Sequence, residues 1–171
     1  MKIKDVTVRF MVAVLVALVL FGLGYASLKG NKQDNEMLTE QASFNQALKY
    51  IEDEHFNQAL QLMKSVERDY SSSHVVKYYI GSTLANIGEW KSAAMEYQKV
   101  LDLNPYMVED PTFMIQYANI LVNAEKLKEA KEVLVKCKSL PIPDQMPNYL
   151  NQVDTLLTNI QWVHDKEYLN E

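Results

Sequence analysis

The chain has 171 residues, 48% of them hydrophobic, enough for one medium domain with a sizeable core and one additional segment. Its formal net charge is -5, and an acidic body repels phosphate backbones, so nucleic acid is excluded as an expected partner. The single cysteine, Cys137, rules out an internal disulfide and makes no metal-binding spacing with His55, His74 or His164.

A short basic tail, residues 1–9, carries Lys2, Lys4 and Arg9. Phe10 to Leu28, FMVAVLVALVLFGLGYASL, follows with no charged residue. At about 1.5 Å per helical residue it spans about 28 Å, close to the hydrocarbon thickness of a bilayer. This stretch is expected to be a single transmembrane helix with the N-terminus cytoplasmic and the remainder extracytoplasmic, on a small margin because Lys29 and Lys32 lie beyond its other end. The alternative is a secretory signal peptide cut after Ala26, which would release the rest. Residues 29–38 form a short polar linker, too short to hold the body far from the membrane.

Beyond the linker the chain repeats itself. Ala59 and Ala93 are 34 residues apart, and at that offset Ala47 falls on Gly81, Phe56 on Trp90, Met63 on Tyr97 and Val66 on Val100. Allowing three extra residues near Val108 to Asp110 places Ala118, Leu127, Ala130, Leu134 and Cys137 in the equivalent positions. Apolar residues recur at three and four, as in Phe56, Ala59, Leu60 and Met63, so each segment is an amphipathic helix with one face to hide. Breaks fall at Ser71 to Ser73, at Gly88, and at Asp110 with Pro111, which supply a cap, a turn and a cap with proline in the first turn. Pairs of short helices cannot bury their stripes alone and must stack. Pro147 to Val163, with Leu150, Val153, Leu157 and Ile160 at helical spacing, is expected to cover the last pair as part of a C-terminal cap and tail, residues 144–171.

Gly81, Gly88, Trp90, Ala93, Tyr97 and Pro105 together resemble the tetratricopeptide repeat, a helix-turn-helix unit of this length. The resemblance covers residues 39–143 as three repeats, about 40–73, 74–107 and 111–143. It departs from the family pattern at Glu54, Ser71 and Glu125. It implies an all-α fold: a right-handed α-solenoid of three helix pairs with a capping helix, here behind an N-terminal transmembrane helix. The layout is similar to that of membrane-anchored bacterial tetratricopeptide proteins.

No phosphate loop, paired cysteines, HExxH or GxSxG motif is present, so no catalytic residue, cofactor or metal is expected. His164, Asp165 and Glu167 read as a solvated helix end, and Cys137 as a buried structural thiol. In the family it resembles, the first helix of each repeat lines a groove for a peptide or a partner helix. Carried over by position, that groove presents Gln41, Phe44, Leu48 and Ile51, then Tyr78, Tyr79, Ser82 and Asn86, then Ile115, Gln116, Asn119 and Asn123. Such a surface suits an uncharged or hydrophobic protein or peptide partner. The lysine-rich carboxylate clamp of chaperone-binding members would fall on Phe44, Leu48, Tyr79, Thr112 and Gln116, none of them basic. The expected function is a membrane-tethered adaptor that scaffolds a complex. The alternative is a structural protein that self-associates into a homo-oligomer.

Overall fold

A computed structural model describes residues 38–168, with side chains as far as Trp162. The basic tail, the expected transmembrane segment 10–28 and the linker up to residue 37 lie outside the described residues. Among the described residues no helix is long and apolar enough to cross a membrane. The chain divides into two compact units, 1–43 and 44–171. What is described of the first is helical, with Ser43 Oγ donating to the Thr39 carbonyl over 2.9 Å.

The described residues form helices joined by short turns: α1 (38–52), α2 (Phe56–Glu67), α3 (His74–Asn86), α4 (Trp90–Leu103), α5 (Pro111–Asn123), α6 (Leu127–Cys137) and α7 (Tyr149–Tyr168). Phe56 and Trp90 open α2 and α4 34 residues apart, while Leu127 opens α6 37 residues after Trp90. The three-residue excess is absorbed by a 3-10 turn, Pro105–Glu109. Ser73 Oγ accepts from the Val76 amide to cap α3, and Asp110 Oδ1 accepts from the Phe113 amide at 3.0 Å to cap α5, with Pro111 in the first turn.

The turn inside each pair is built the same way three times. Glu54, Gly88 and Glu125 take φ of 58°, 82° and 63°, and the next residue closes the turn by donating its amide to a carbonyl five residues back. These bonds are His55 to Tyr50, Glu89 to Leu84 and Lys126 to Leu121, at 2.7, 2.9 and 2.9 Å. This is the left-handed C-terminal stop that glycine makes without strain. The two glutamates that depart from the family pattern adopt it nonetheless, because the closing bond and the helix pairing hold them there.

The repeat positions carry the core. Ala59, Ala93 and Ala130 are wholly buried, as are Ala47, Gly81 and Ala118, and as are Met63, Tyr97 and Leu134. Small residues at the first two positions let the helices approach, and the third fills the space beside them. The second pair takes this furthest: a Cβ placed on Gly81 would stand 2.7 Å from Tyr97 Cδ2 and 3.0 Å from Cε2. One turn before Gly81 on α3, the largely buried Lys77 ammonium meets the Glu67 carboxylate of α2 and lies 3.9 Å from Glu96 Oε2 of α4, whose other oxygen binds Lys99 at 2.6 Å. Lys77 is the compensating cation for a Glu96 oxygen that is buried without a hydrogen bond.

α7 packs on both α5 and α6. It begins at Tyr149 rather than Pro147 and is described as far as Tyr168. The inward stripe is Tyr149, Val153 and Ile160, with Leu156 and Leu157 half-buried, while Leu150 is exposed. The expected stripe through Leu150 is thus corrected by one residue at its start. Tyr149 takes the inner place because its hydroxyl donates to the Cys137 carbonyl at 3.1 Å, tying the start of α7 to the end of α6.

Gain and loss of glycine are expected to have opposite signs in urea unfolding of the full chain. Glu54→Gly and Glu125→Gly should each stabilise by about 0.5 kcal/mol, and Gly88→Ala should destabilise by about 1 kcal/mol. Gly81→Ala should cost about 2 kcal/mol, because Tyr97 must leave its rotamer. A neutral Gly81→Ala would show that the ring has somewhere else to go.

Candidate functional site: an amide-lined cleft

Aromatic rings run from α1 to α5. Phe44 meets Tyr79 edge-on at 5.7 Å, Tyr79 meets Tyr78 at 5.3 Å, and Tyr78 tilts onto Tyr97 at 5.7 Å. Tyr97 then stacks on Phe113 at 5.0 Å and Tyr117 at 5.8 Å, with interplanar angles of 16° and 19°. Offset stacks of this kind add about 1 kcal/mol each beyond burial. The phenol groups have specific partners. Tyr78 and Tyr97 both donate to Gln116 Oε1, at 3.0 and 3.1 Å, and Tyr117 donates to Gln98 Oε1 at 3.0 Å.

Burial raises the ionisation of Tyr78, Tyr97 and Tyr117 above the ordinary tyrosine value of 10.0. For Tyr97 the neighbouring Tyr78 adds to the effect, and for Tyr117 Glu129 and Asp102 do. Burial likewise raises Tyr149. These hydroxyls stay protonated at neutral pH and donate hydrogen bonds.

Two clefts open beside this aromatic path. The larger, about 540 Å³, lies between α5 and α7. Ile115, Gln116 and Asn119 form its α5 wall; Asn148, Asn151, Gln152, Thr155 and Leu156 form the other, with Met146 at the entrance to α7. Five of these nine residues are carboxamides and none is charged. The smaller, about 300 Å³, opens at the starts of α3 and α5, where Tyr78 and Tyr79 face Met107, Asp110 and Phe113. The shared element is the Tyr78–Gln116 hydrogen bond, which joins a wall of one cleft to a wall of the other.

The residues expected to line a groove fall into distinct places. Ile115, Gln116 and Asn119 line the larger cleft, and Tyr78 and Tyr79 the smaller. Ile115 is only 5% exposed and offers little more than an edge. Phe44, Leu48 and Ile51 are half-buried against the core. Ser82 is half-buried, and the exposed Asn86 and Asn123 turn their amides back onto their own helices, to the Ser82 and Asn119 carbonyls. Gln41 is exposed and belongs to the first unit. The α7 wall was not anticipated: Asn148 directly precedes α7, and Asn151, Gln152 and Thr155 sit on the polar side of a helix whose apolar spacing suggests only a lid. The signal available in the sequence was the density of amides from Asn148 to Gln152.

No family model matches the sequence, and no curated protein matches it. Solved structures do match in fold. The Yersinia enterocolitica type III secretion chaperone SycD, in complex with a peptide of the translocator YopD, is 15% identical with a TM-score of 0.61; the match covers 74% of this chain and 95% of that one. The first tetratricopeptide domain of Spaghetti (RPAP3), bound to the HSP90 peptide SRMEEVD, is 12% identical with a TM-score of 0.60, covering 71% and 93%. The TPR2B domain of yeast Sti1, in a complex with Hsp70, is 12% identical with a TM-score of 0.58, covering 72% and 96%. The fold of this chain is therefore a tetratricopeptide-like array of helix pairs.

The raised phenols set the direction of pH dependence. As pH rises through about 10 the unfolded chain loses tyrosine protons that the folded chain keeps, so this stabilisation is complete below about pH 10 and is lost above it. Unfolding free energy should fall on the alkaline side, and Tyr97→Phe should make that fall shallower. An unchanged slope in the variant would remove Tyr97 from this account.

Proposed function

We propose that this protein is an adaptor that binds a partner protein or peptide, uncharged where it makes contact, in the cleft between α5 and α7. We further propose that it does so tethered to a membrane by residues 10–28, with the helix pairs on the extracytoplasmic side. The observation that carries the binding reading is the cleft itself: about 540 Å³, five carboxamides and no charged side chain. Carboxamides both donate and accept, which suits a polypeptide backbone, and Ile115, Met146 and Leu156 provide apolar contact beside them. The fold neighbours bound to YopD and HSP90 peptides support the peptide reading. The tether rests on the charge-free stretch Phe10 to Leu28 and the basic residues before it. At the positions of a carboxylate clamp stand Phe44, Leu48, Tyr79, Thr112 and Gln116, so a partner that depends on a C-terminal carboxylate is not expected.

The test is a photo-activatable crosslinker at Thr155, in the cleft, and at Gln58, exposed on α2, in the full chain in its native membrane. One discrete heterologous adduct from Thr155 and none from Gln58 is expected. Asn119→Asp with Asn151→Asp should reduce that adduct at least tenfold, with helical circular dichroism unchanged. An adduct indifferent to these charges would end the assignment. Adducts only to other copies of the chain would replace the adaptor by a self-associating structural protein.

A further inference from the structure

We infer that the α5 wall of the larger cleft is a hydrogen-bond donor surface, and that Gln116 is the residue that makes the site select carbonyl acceptors, in the form of an extended, uncharged stretch of polypeptide backbone. This rests on the cleft being the binding site and adds what the ligand must present there. A carboxamide oxygen has two lone pairs, and Gln116 Oε1 already receives the hydroxyls of Tyr78 and Tyr97 at 3.0 and 3.1 Å. What remains for a ligand is the NH2 group.

The amide is held in that sense. Tyr97 is 1% exposed, stacked on Phe113 and Tyr117, and pressed against the α3 backbone where Gly81 has no side chain. The fixed ring keeps its hydroxyl beside the Gln116 oxygen. A reversed amide would exchange both O–H···O bonds for N–H···O bonds to the phenol oxygens. A phenol is the better donor because its lone pair is delocalised into the ring, so the reversed form is disfavoured.

Asn119, one turn along α5, is biased the same way: its Oδ1 accepts from Asn123 Nδ2 at 3.2 Å, and its own NH2 faces no such demand. Side chains three apart on a helix stand about 5–6 Å apart at Cβ. Same-side carbonyls of an extended strand recur every two residues, about 6.6 Å. The two amide NH2 groups on α5 therefore match successive same-side carbonyls of an extended chain. On the opposite wall, Thr155 donates its hydroxyl to the Asn151 carbonyl, which leaves its oxygen as an acceptor for a ligand N–H.

The test uses the full chain, 15N-labelled and in detergent, with two small probes: N,N-dimethylacetamide, which has a carbonyl acceptor and no N–H, and pyrrole, which has an N–H donor and no comparable acceptor. Dimethylacetamide should move the Gln116 side-chain NH2 resonances downfield and saturably, with a dissociation constant on the order of 10 mM for so small a probe. Pyrrole should leave them in place. Q116E keeps an oxygen for the two tyrosines but replaces the donor, and should weaken the response read at the Asn119 NH2 at least tenfold. No response to dimethylacetamide in the unaltered chain, or an equal response to pyrrole, overturns the inference, and that readout does not depend on any variant folding. A Thr155 adduct without a carbonyl response would end the donor-wall inference and leave the adaptor reading. A carbonyl response without an adduct would do the reverse.

Discussion

Tyr97 lies against the backbone of α3 because residue 81 has no side chain, and the rest of the second helix pair is arranged around that contact. The equivalent positions in the neighbouring pairs hold Ala47 with Met63 and Ala118 with Leu134. Only the middle pair exchanges a methyl group on one helix for an aromatic ring on the other. The ring reaches forward to stack on Phe113 and Tyr117, so the contact that closes one pair also docks the next. Its hydroxyl ends on Gln116, a residue of the cleft wall. A packing constraint inside the core thereby sets the orientation of a polar group at the surface.

The three-residue excess between the second and third pairs has a local consequence of the same kind. It becomes the 3-10 turn Pro105–Glu109, which delivers Asp110 to cap α5 and Met107 to the smaller cleft beside Tyr78 and Tyr79. Glu109 at the end of the turn pairs with Lys136 of α6 at 2.7 Å, across an exposed surface where such a bond contributes little to stability. What the turn does is geometric: it sets where α5 starts, and so which α5 residues face α7.

Much of the fold was legible because it is written in residue size and spacing. Alanine and glycine recur at fixed intervals beside larger residues, and the turns fall where the apolar period breaks. Even Glu54 and Glu125, which lack the expected glycine, could be placed by spacing, since the closing hydrogen bond belongs to the backbone rather than to the side chain. The phase of α7 was less legible. Leu150, Val153, Leu157 and Ile160 make one valid helical stripe, and Tyr149, Val153, Leu156 and Ile160 make another that shares Val153 and Ile160 with it. Hydrophobicity alone favours the leucine. The choice falls to Tyr149 because it satisfies its hydroxyl on the Cys137 carbonyl while burying its ring, a tertiary hydrogen bond with no local signature.

The site divides along the same line. Gln116 and Asn119 could be named from their place on the first helix of a pair, but the facing wall belongs to α7, and only packing of α7 on α5 makes the two walls one cleft. The state of Gln116 was further out of reach, since it depends on two tyrosine hydroxyls contributed by α3 and α4, 38 and 19 residues away. A fold shared with peptide-bound neighbours at 12–15% identity carries no chemistry by itself. Where a clamp would need lysine this chain has two rings, a leucine, a threonine and one amide, and on the proposed reading a ring-held amide discriminates by hydrogen-bond polarity, not by charge. Recognition of that kind reads the conformation of a backbone more than the identity of its side chains. On the proposed reading it would favour partners that present an extended uncharged segment, with less sensitivity to salt than a lysine clamp has.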